Sequence, residues 1–178
     1  VRWIAPILSF TAEEVWENLP GERGASVLLA RWYEDLPTLP AGEAMGREYW
    51  QQLMDVRTAV NKEMETQRAA GALRGSLDAR VNLYCSAELE ANLQALGDEL
   101  RFVLITSAAS LAPLDAAPEE AAMTDLPGLR LVVAVEDAEK CERCWHRRPE
   151  VGSIAAHPTL CERCVENIDG DGEQRRFA

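Results

Sequence analysis

The sequence predicts an α+β protein with a helical N-terminal part, a small sheet with a helix packed across it, and a C-terminal module built on four cysteines. Three observations predict it. Met45, Tyr49, Leu53, Val56, Val60 and Met64 recur at helical spacing through a long polar segment. Leu77, Ala79, Val81, Leu83 and Cys85 alternate with polar residues, as a half-buried strand requires. Four of the five cysteines fall in two copies of the tetrapeptide CERC near the end of the chain.

Residues 1–20 read as helical, with Trp3, Ile4, Ile7 and Leu8 apolar. Thr11 and Glu14 have capping-box spacing, followed by Val15, Trp16 and Leu19 as an apolar face and Pro20-Gly21 as a stop. SVLLARW, residues 26–32, is expected as a strand or an extended pass over a core, and Pro37 and Pro40 mark a linker. The long helix is expected from Glu43 to Ala70, ending at Gly71, with its stripe in the core and its charged faces in solvent. A strand over 77–85 follows, in which Cys85 is a small core residue. Ser86 is expected to cap a short helix carrying Leu89, Leu93 and Leu96. Residues 99–107 begin helical or extended and enter a strand at their β-branched end. The Pro-, Ala- and acid-rich stretch 112–128 reads as a mobile loop, and LRLVVAVE, residues 129–136, as a strand leading into the cysteine module.

In that module Cys141-x2-Cys144 is followed, after sixteen residues, by Cys161-x2-Cys164. Two thiolates two residues apart hold one ion from a tight turn, and two such knuckles supply a tetrahedral set about 2.3 Å from zinc. Four protein ligands leave no open position, so the expectation is one structural Zn2+ in a four-cysteine zinc finger, not a catalytic ion. The metal supplies most of the folding energy of so small a module, which has few large apolar side chains. A four-cysteine iron site is the competing metal reading. His146 is expected at the surface or at a contact, and His157, beside Pro158, in a loop. Trp145, His146, Arg147 and Arg148 follow the first knuckle directly. An aromatic face beside cations suits single-stranded nucleic acid. The equal alternative is that Trp145 packs on the metal core and the arginines are solvated.

The bulk numbers constrain this reading. Hydrophobic residues make up 47% of the 178-residue chain and charged residues 27%, as in soluble globular proteins. No apolar run reaches membrane-spanning length. The start, VRWIAPILSF, carries neither Met nor a basic leader, and suggests a piece of a longer polypeptide. Paired CxxC motifs without export signals point to a reducing compartment, the cytoplasm. The net charge of −12 is uneven: residues 1–137 carry 11 bases and 22 acids, residues 138–178 carry 7 and 8. A phosphate-binding surface is therefore not expected to cover the first part broadly, while local basic patches stay open.

KCERCWHRRPEVG and HPTLCERCVENIDGDGEQRRFA resemble the C-terminus of bacterial isoleucyl-tRNA synthetases. RWIAPILSFTAEEVWENLPG resembles the last helical part of their anticodon-binding domain, and VNKEMETQRAAGALRGSLDARVNLY the segment after it. The stretch ALRGSLDA departs mildly from the family's I-G before S-x-L-E-A. The resemblance covers essentially the whole chain. It implies three parts: the end of the helical anticodon-binding domain over residues 1–40, a long helix with a small α+β junction domain over 41–137, and a zinc-binding domain over 138–178. It implies that Cys141, Cys144, Cys161 and Cys164 are the zinc ligands. The tRNA(Ile) anticodon stem-loop and the remainder of the synthetase are the implied partners, in a monomeric enzyme without membrane attachment. Trp145, His146, Arg147, Arg148, Arg175 and Arg176 are candidate tRNA contacts. The family charges tRNA(Ile) with isoleucine using ATP and Mg2+. Its HIGH-type and KMSKS-type motifs do not occur here, so this stretch is expected to be inactive alone.

Two other readings compete. Bacterial formamidopyrimidine-DNA glycosylases carry a similar terminal finger, but they require a Pro-Glu start and this chain begins Val-Arg. A zinc ribbon could also serve protein interaction with no nucleic-acid contact; its dependence would fall on the cysteines alone.

Overall fold

The structure, a computed structural model, describes residues 1–38 and 42–177. Residues 1–43 and those from 44 onward form two compact units.

In the first unit, helix α1 spans Ser9–Asn18. It begins later than the sequence suggests because Pro6 has no N–H to donate into the preceding turn. Thr11 thus lies inside the helix, and the capping box does not form; Leu8 occupies the N-cap position without a side-chain bond. The buried face runs through Ala12 and Trp16 onto Ala5 and Val27, while Val15 is exposed. The segment 26–32, expected as a strand or an extended pass over a core, holds a 3-10 turn, Val27–Leu29, between extended Ser26 and Ala30, and Val27 is buried. Glu13 fixes the turn: its carboxylate accepts from the Ser26 hydroxyl at 2.8 Å and the Val27 N–H at 3.0 Å. The Trp16 indole donates to the Gly24 carbonyl at 2.8 Å. Pro37 lies in irregular backbone, and the linker position at Pro40 is outside the described residues.

The second unit starts with helix α2, Arg47–Ala69. Leu53, Val56, Val60 and Met64 are buried and Met45 and Tyr49 half-buried against the same core, so the stripe works as a packing face. Gly71 ends the helix in left-handed backbone, φ +76. Strand β1, Ala79–Cys85, follows a short 3-10 turn. Helices α3, Ala87–Gln94, and α4, Leu100–Leu104, carry the chain over to strand β2, Ala108–Pro113. Ser86 holds the N-cap position of α3, but its hydroxyl makes no capping bond. Leu96 lies beyond α3 yet is buried in the core. Residues 100–104 are helical, and the strand begins only after Ile105 turns left-handed, φ 57.

The stretch read as a loop holds the end of β2, a 3-10 turn at Leu114–Ala116 and the two-residue strand β3, Ala122–Met123. Strand β4, Leu129–Val135, completes a four-stranded sheet of order β2-β1-β4-β3. Strand β1 pairs parallel with β2 and antiparallel with β4, with Leu83 opposite both Leu111 and Leu131. Strands β2 and β3 occupy opposite edges, so residues 114–121 must cross the sheet. Arg130 fastens that crossing by donating to the carbonyls of Glu119 at 3.0 Å and Ala121 at 2.9 Å.

One face of the sheet, Val81, Leu83, Cys85, Leu129 and Leu131, packs with α2, α3 and α4 into the main core. Cys85 is a core residue, as its side of the alternation implies; burial, then Glu90, pushes its thiol up to about 11. Helix α5, Glu162–Asp169, lies in the cysteine module. No described helix is long and apolar enough to cross a membrane.

Leu83 is fully buried on the central strand. Leu83→Ala is expected to cost about 2–5 kcal/mol through lost burial and the cavity left behind. Urea unfolding followed by circular dichroism measures it, with the midpoint falling at unchanged slope.

Candidate metal centre

The four knuckle cysteines converge. The sulfurs of Cys141, Cys144, Cys161 and Cys164 all lie within 4.8 Å of one another, and those of Cys144 and Cys161 are 3.7 Å apart. A tetrahedron with metal–sulfur bonds of about 2.3 Å has edges of about 3.8 Å, so this set fits one tetrahedral ion of zinc size. Local folding builds it. The first knuckle is a tight hairpin in which the Cys141 amide donates to the His146 carbonyl and the Trp145 amide to the Cys141 carbonyl, both at 2.9 Å, and Lys140 bridges Arg147. The second sits at the start of α5, with Cys161 at the N-cap and Cys164 in the first turn. N–H groups point at the sulfurs: the Cys161 amide reaches the Cys141 sulfur at 3.4 Å, and the Arg143 guanidinium the Cys164 sulfur at 3.6 Å.

Without an ion this cluster is electrostatically awkward. Burial pushes the thiols of Cys161, to about 12, and Cys164 up. Burial also opposes ionisation of Cys141, yet backbone N–H groups of Cys144, Cys161 and Arg143 outweigh it and bring that thiol down to about 6. A divalent cation removes the conflict, because it stabilises all four thiolates at once.

Residues after the first knuckle divide sharply. Trp145 is 60% exposed, with the Lys140 ammonium 5.3 Å from the centre of its ring. Its backbone is left-handed, φ 69. A bulky residue there costs about 1–3 kcal/mol and persists only where the surroundings enforce it. His146, expected at the surface or at a contact, is a contact residue and only 8% exposed: its ring meets Phe102 edge-on and its Nδ1 lies 3.0 Å from Arg101 Nη1. A guanidinium only donates, so Nδ1 accepts and the imidazole is neutral. Burial, then Arg101, Arg163, Arg148 and Arg175, hold its pKa down to about 4.

Arg147 and Arg148 also face inward. The Arg147 amide donates to the Ser107 hydroxyl at 2.7 Å, and its guanidinium to Asp78 at 2.8 Å and the Ala138 carbonyl at 3.2 Å. Arg148 pairs with Glu150 at 3.0 Å and lies 3.9 Å from Asp98. His157 pairs with Asp169 at 2.6 Å.

The C-terminal tail returns to the same place. Arg175 pairs with Glu173 at 2.8 Å and covers the Phe102 ring at 4.2 Å. Arg175, then Arg163, hold the Glu173 carboxyl down to about 2. The amides of Arg176 and Phe177 donate to the two Glu99 oxygens at 2.8 and 2.7 Å. Of the candidates read from sequence, His146 and Arg175 thus meet at Phe102, Arg147 and Arg148 turn toward Asp78 and Asp98, and Trp145 is exposed. Sequence reasoning missed the residues that hold them: Asp78, Glu99, Arg101, Phe102 and Ser107. One signal existed, a single base inside the apolar run LRFVLI.

Comparison with known proteins places this architecture. The family model described as the anticodon-binding domain of tRNA ligase matches residues 1–113, and the chain belongs to that family. A second model, a zinc finger found in FPG and IleRS, matches residues 138–167, the knuckles included. The finger match and the clustered sulfurs together make this a site for one structural zinc. The chain is 59% identical over its full length to an isoleucine–tRNA ligase of Pseudomonas aeruginosa. The corresponding figures are 57% for one of Stutzerimonas stutzeri and 54% for one of Shewanella amazonensis. It spans 19% of the length of each of these relatives.

Cys161→Ser is expected to drop bound zinc well below one per chain by metal analysis. Amide exchange should then rise across residues 141–169, while the amides of β1, in a separate apolar core, stay protected.

Proposed function

We propose that this chain is the tRNA-binding end of an isoleucine–tRNA ligase, in which a structural zinc held by Cys141, Cys144, Cys161 and Cys164 folds a platform for the anticodon stem-loop of tRNA(Ile). Residues 1–40 close the helical anticodon-binding domain, 41–137 form the junction domain and 138–178 the zinc domain. In the whole cytoplasmic, monomeric enzyme, ATP-dependent isoleucine transfer is carried by a catalytic domain outside this chain, where ATP and Mg2+ bind. The identity along the full chain to isoleucine–tRNA ligases supports the reading of the whole.

The single observation that supports the contact itself is Trp145. An exposed indole, in unfavourable backbone, beside a lysine, offers an unpaired base a stacking face and a cation. Arg147, Arg148, Arg175 and Arg176 supply charge for phosphates from the same module. His146 contributes from beneath, by holding the knuckle. The chain is acidic overall, so the attraction is local and the affinity of this chain alone is modest.

Titration with tRNA(Ile) and a non-cognate tRNA at two salt concentrations tests this reading. Binding that favours tRNA(Ile) and weakens as salt rises is expected. Trp145→Ala should weaken it by about 5- to 100-fold, the loss of one stacked base, with one zinc per chain retained. Unchanged affinity in that variant refutes the contact.

A further inference from the structure

We infer that Arg101, on helix α4 outside the zinc finger, is a positioning residue that holds Trp145 in its presenting conformation through His146. The inference rests on the reading of Trp145 as the contact residue.

Arg101 is an unusual residue to find where it is. Its side chain is only 5% exposed, in a five-residue helix that is otherwise apolar. A buried guanidinium is retained only where its donors are used. Nε donates to Asp98 at 2.8 Å, Nη1 faces His146 Nδ1 at 3.0 Å, and the guanidinium lies 4.0 Å from the centre of the Phe102 ring. Asp98 and Phe102 belong to the same local segment. Among the described residues, His146 is the side-chain partner of Arg101 far away in sequence, and it directly follows Trp145.

Trp145 therefore sits between two anchors. On one side is Cys144, held by the metal. On the other is His146, held by Arg101. Left-handed backbone at a tryptophan relaxes unless both flanking residues are fixed. The knuckle's own bonds, Trp145 N–H to Cys141 O and Cys141 N–H to His146 O, both 2.9 Å, close the hairpin but do not set the His146 ring. The ring is set by Arg101 and by Phe102.

The next two residues are held by the same stretch of chain. Ser107, just past the end of α4, donates its hydroxyl to Leu77 O at 2.5 Å and accepts the Arg147 amide at 2.7 Å. Asp98 lies near Arg148. The three residues that leave the knuckle thus dock on residues 98–107, and Arg101 is the contact nearest Trp145. The metal shapes the knuckle, and Arg101 aims it.

A double-mutant cycle on the chain, read with tRNA(Ile) affinity and zinc content, tests this. Arg101→Met keeps length and packing and removes the donors. It should weaken tRNA(Ile) binding by nearly as much as Trp145→Ala, with one zinc per chain, and the double variant should bind no worse than Trp145→Ala. Arg101→Lys, which restores a cation and a donor, should recover part of the loss. Losses that multiply in the double variant would make Arg101 an independent contributor and overturn the inference. So would an Arg101→Met variant that binds like the parent, or one that loses its zinc.

A second readout needs no tRNA. With 5-fluorotryptophan incorporated, the 19F resonance of Trp145, assigned by its loss in Trp145→Phe, should broaden or split in Arg101→Met, while those of Trp3, Trp16, Trp32 and Trp50 stay in place. An unchanged Trp145 resonance overturns the inference even if tRNA binding falls. If Trp145→Ala leaves tRNA binding intact, the proposed contact fails, and the 19F spectrum still decides the positioning role.

Discussion

Four sulfurs within 4.8 Å of one another, three of them fully buried, cannot all carry charge without a cation among them. Much of the C-terminal module follows from that constraint. Its apolar cluster contains little besides the cysteines, Val151 and Leu160, so hydrophobic burial cannot hold it alone. A zinc ion turns mutual repulsion into four bonds. The residue after the first knuckle, Trp145, has left-handed backbone and an exposed side chain.

The module is not an isolated finger. The residues that leave its first knuckle, His146, Arg147 and Arg148, all spend hydrogen bonds on the sheet unit. Its tail returns to Glu99, where a carboxylate accepts two consecutive amides, and Phe177 packs against the main core. Arginines supply much of this joint. Arg101, Arg147, Arg148 and Arg163 each pair with a carboxylate, and Arg101 and Arg163 also approach the Phe102 ring. This use of charge explains how a chain of net charge −12 keeps so many bases near its end. Most of them hold the module in place, and fewer remain for a nucleic acid.

Beneath the joint, β1 does the organising. It is paired on both sides over Arg80–Cys85, parallel to β2 and antiparallel to β4, with its inward residues fully buried. The parallel pairing requires a crossover, which α3 and α4 provide. That crossover brings Arg101, Thr106 and Ser107 to the end of the sheet where β4 runs into the cysteine module. The position of the joint is therefore a consequence of topology.

Periodicity and spacing read from the sequence determined the long helix, strands β1 and β4, the core role of Cys85 and the four converging sulfurs. These are local patterns: a 3.6-residue repeat, a two-residue alternation and a metal-binding spacing each report themselves along the chain. What stayed open or was misread lies where a distant contact decides. Within residues 26–32, Val27–Leu29 form a 3-10 turn because Glu13 caps it, and residues 112–128 gained strand and turn because the chain must cross the sheet. For His146 surface and contact stood open, and it is a buried contact because its environment comes from residues 101 and 102, more than forty positions earlier. Residue type announces what a side chain can do. Only the tertiary structure decides whether its donors face solvent or are already used, because hydrogen-bond partners are chosen by proximity in space.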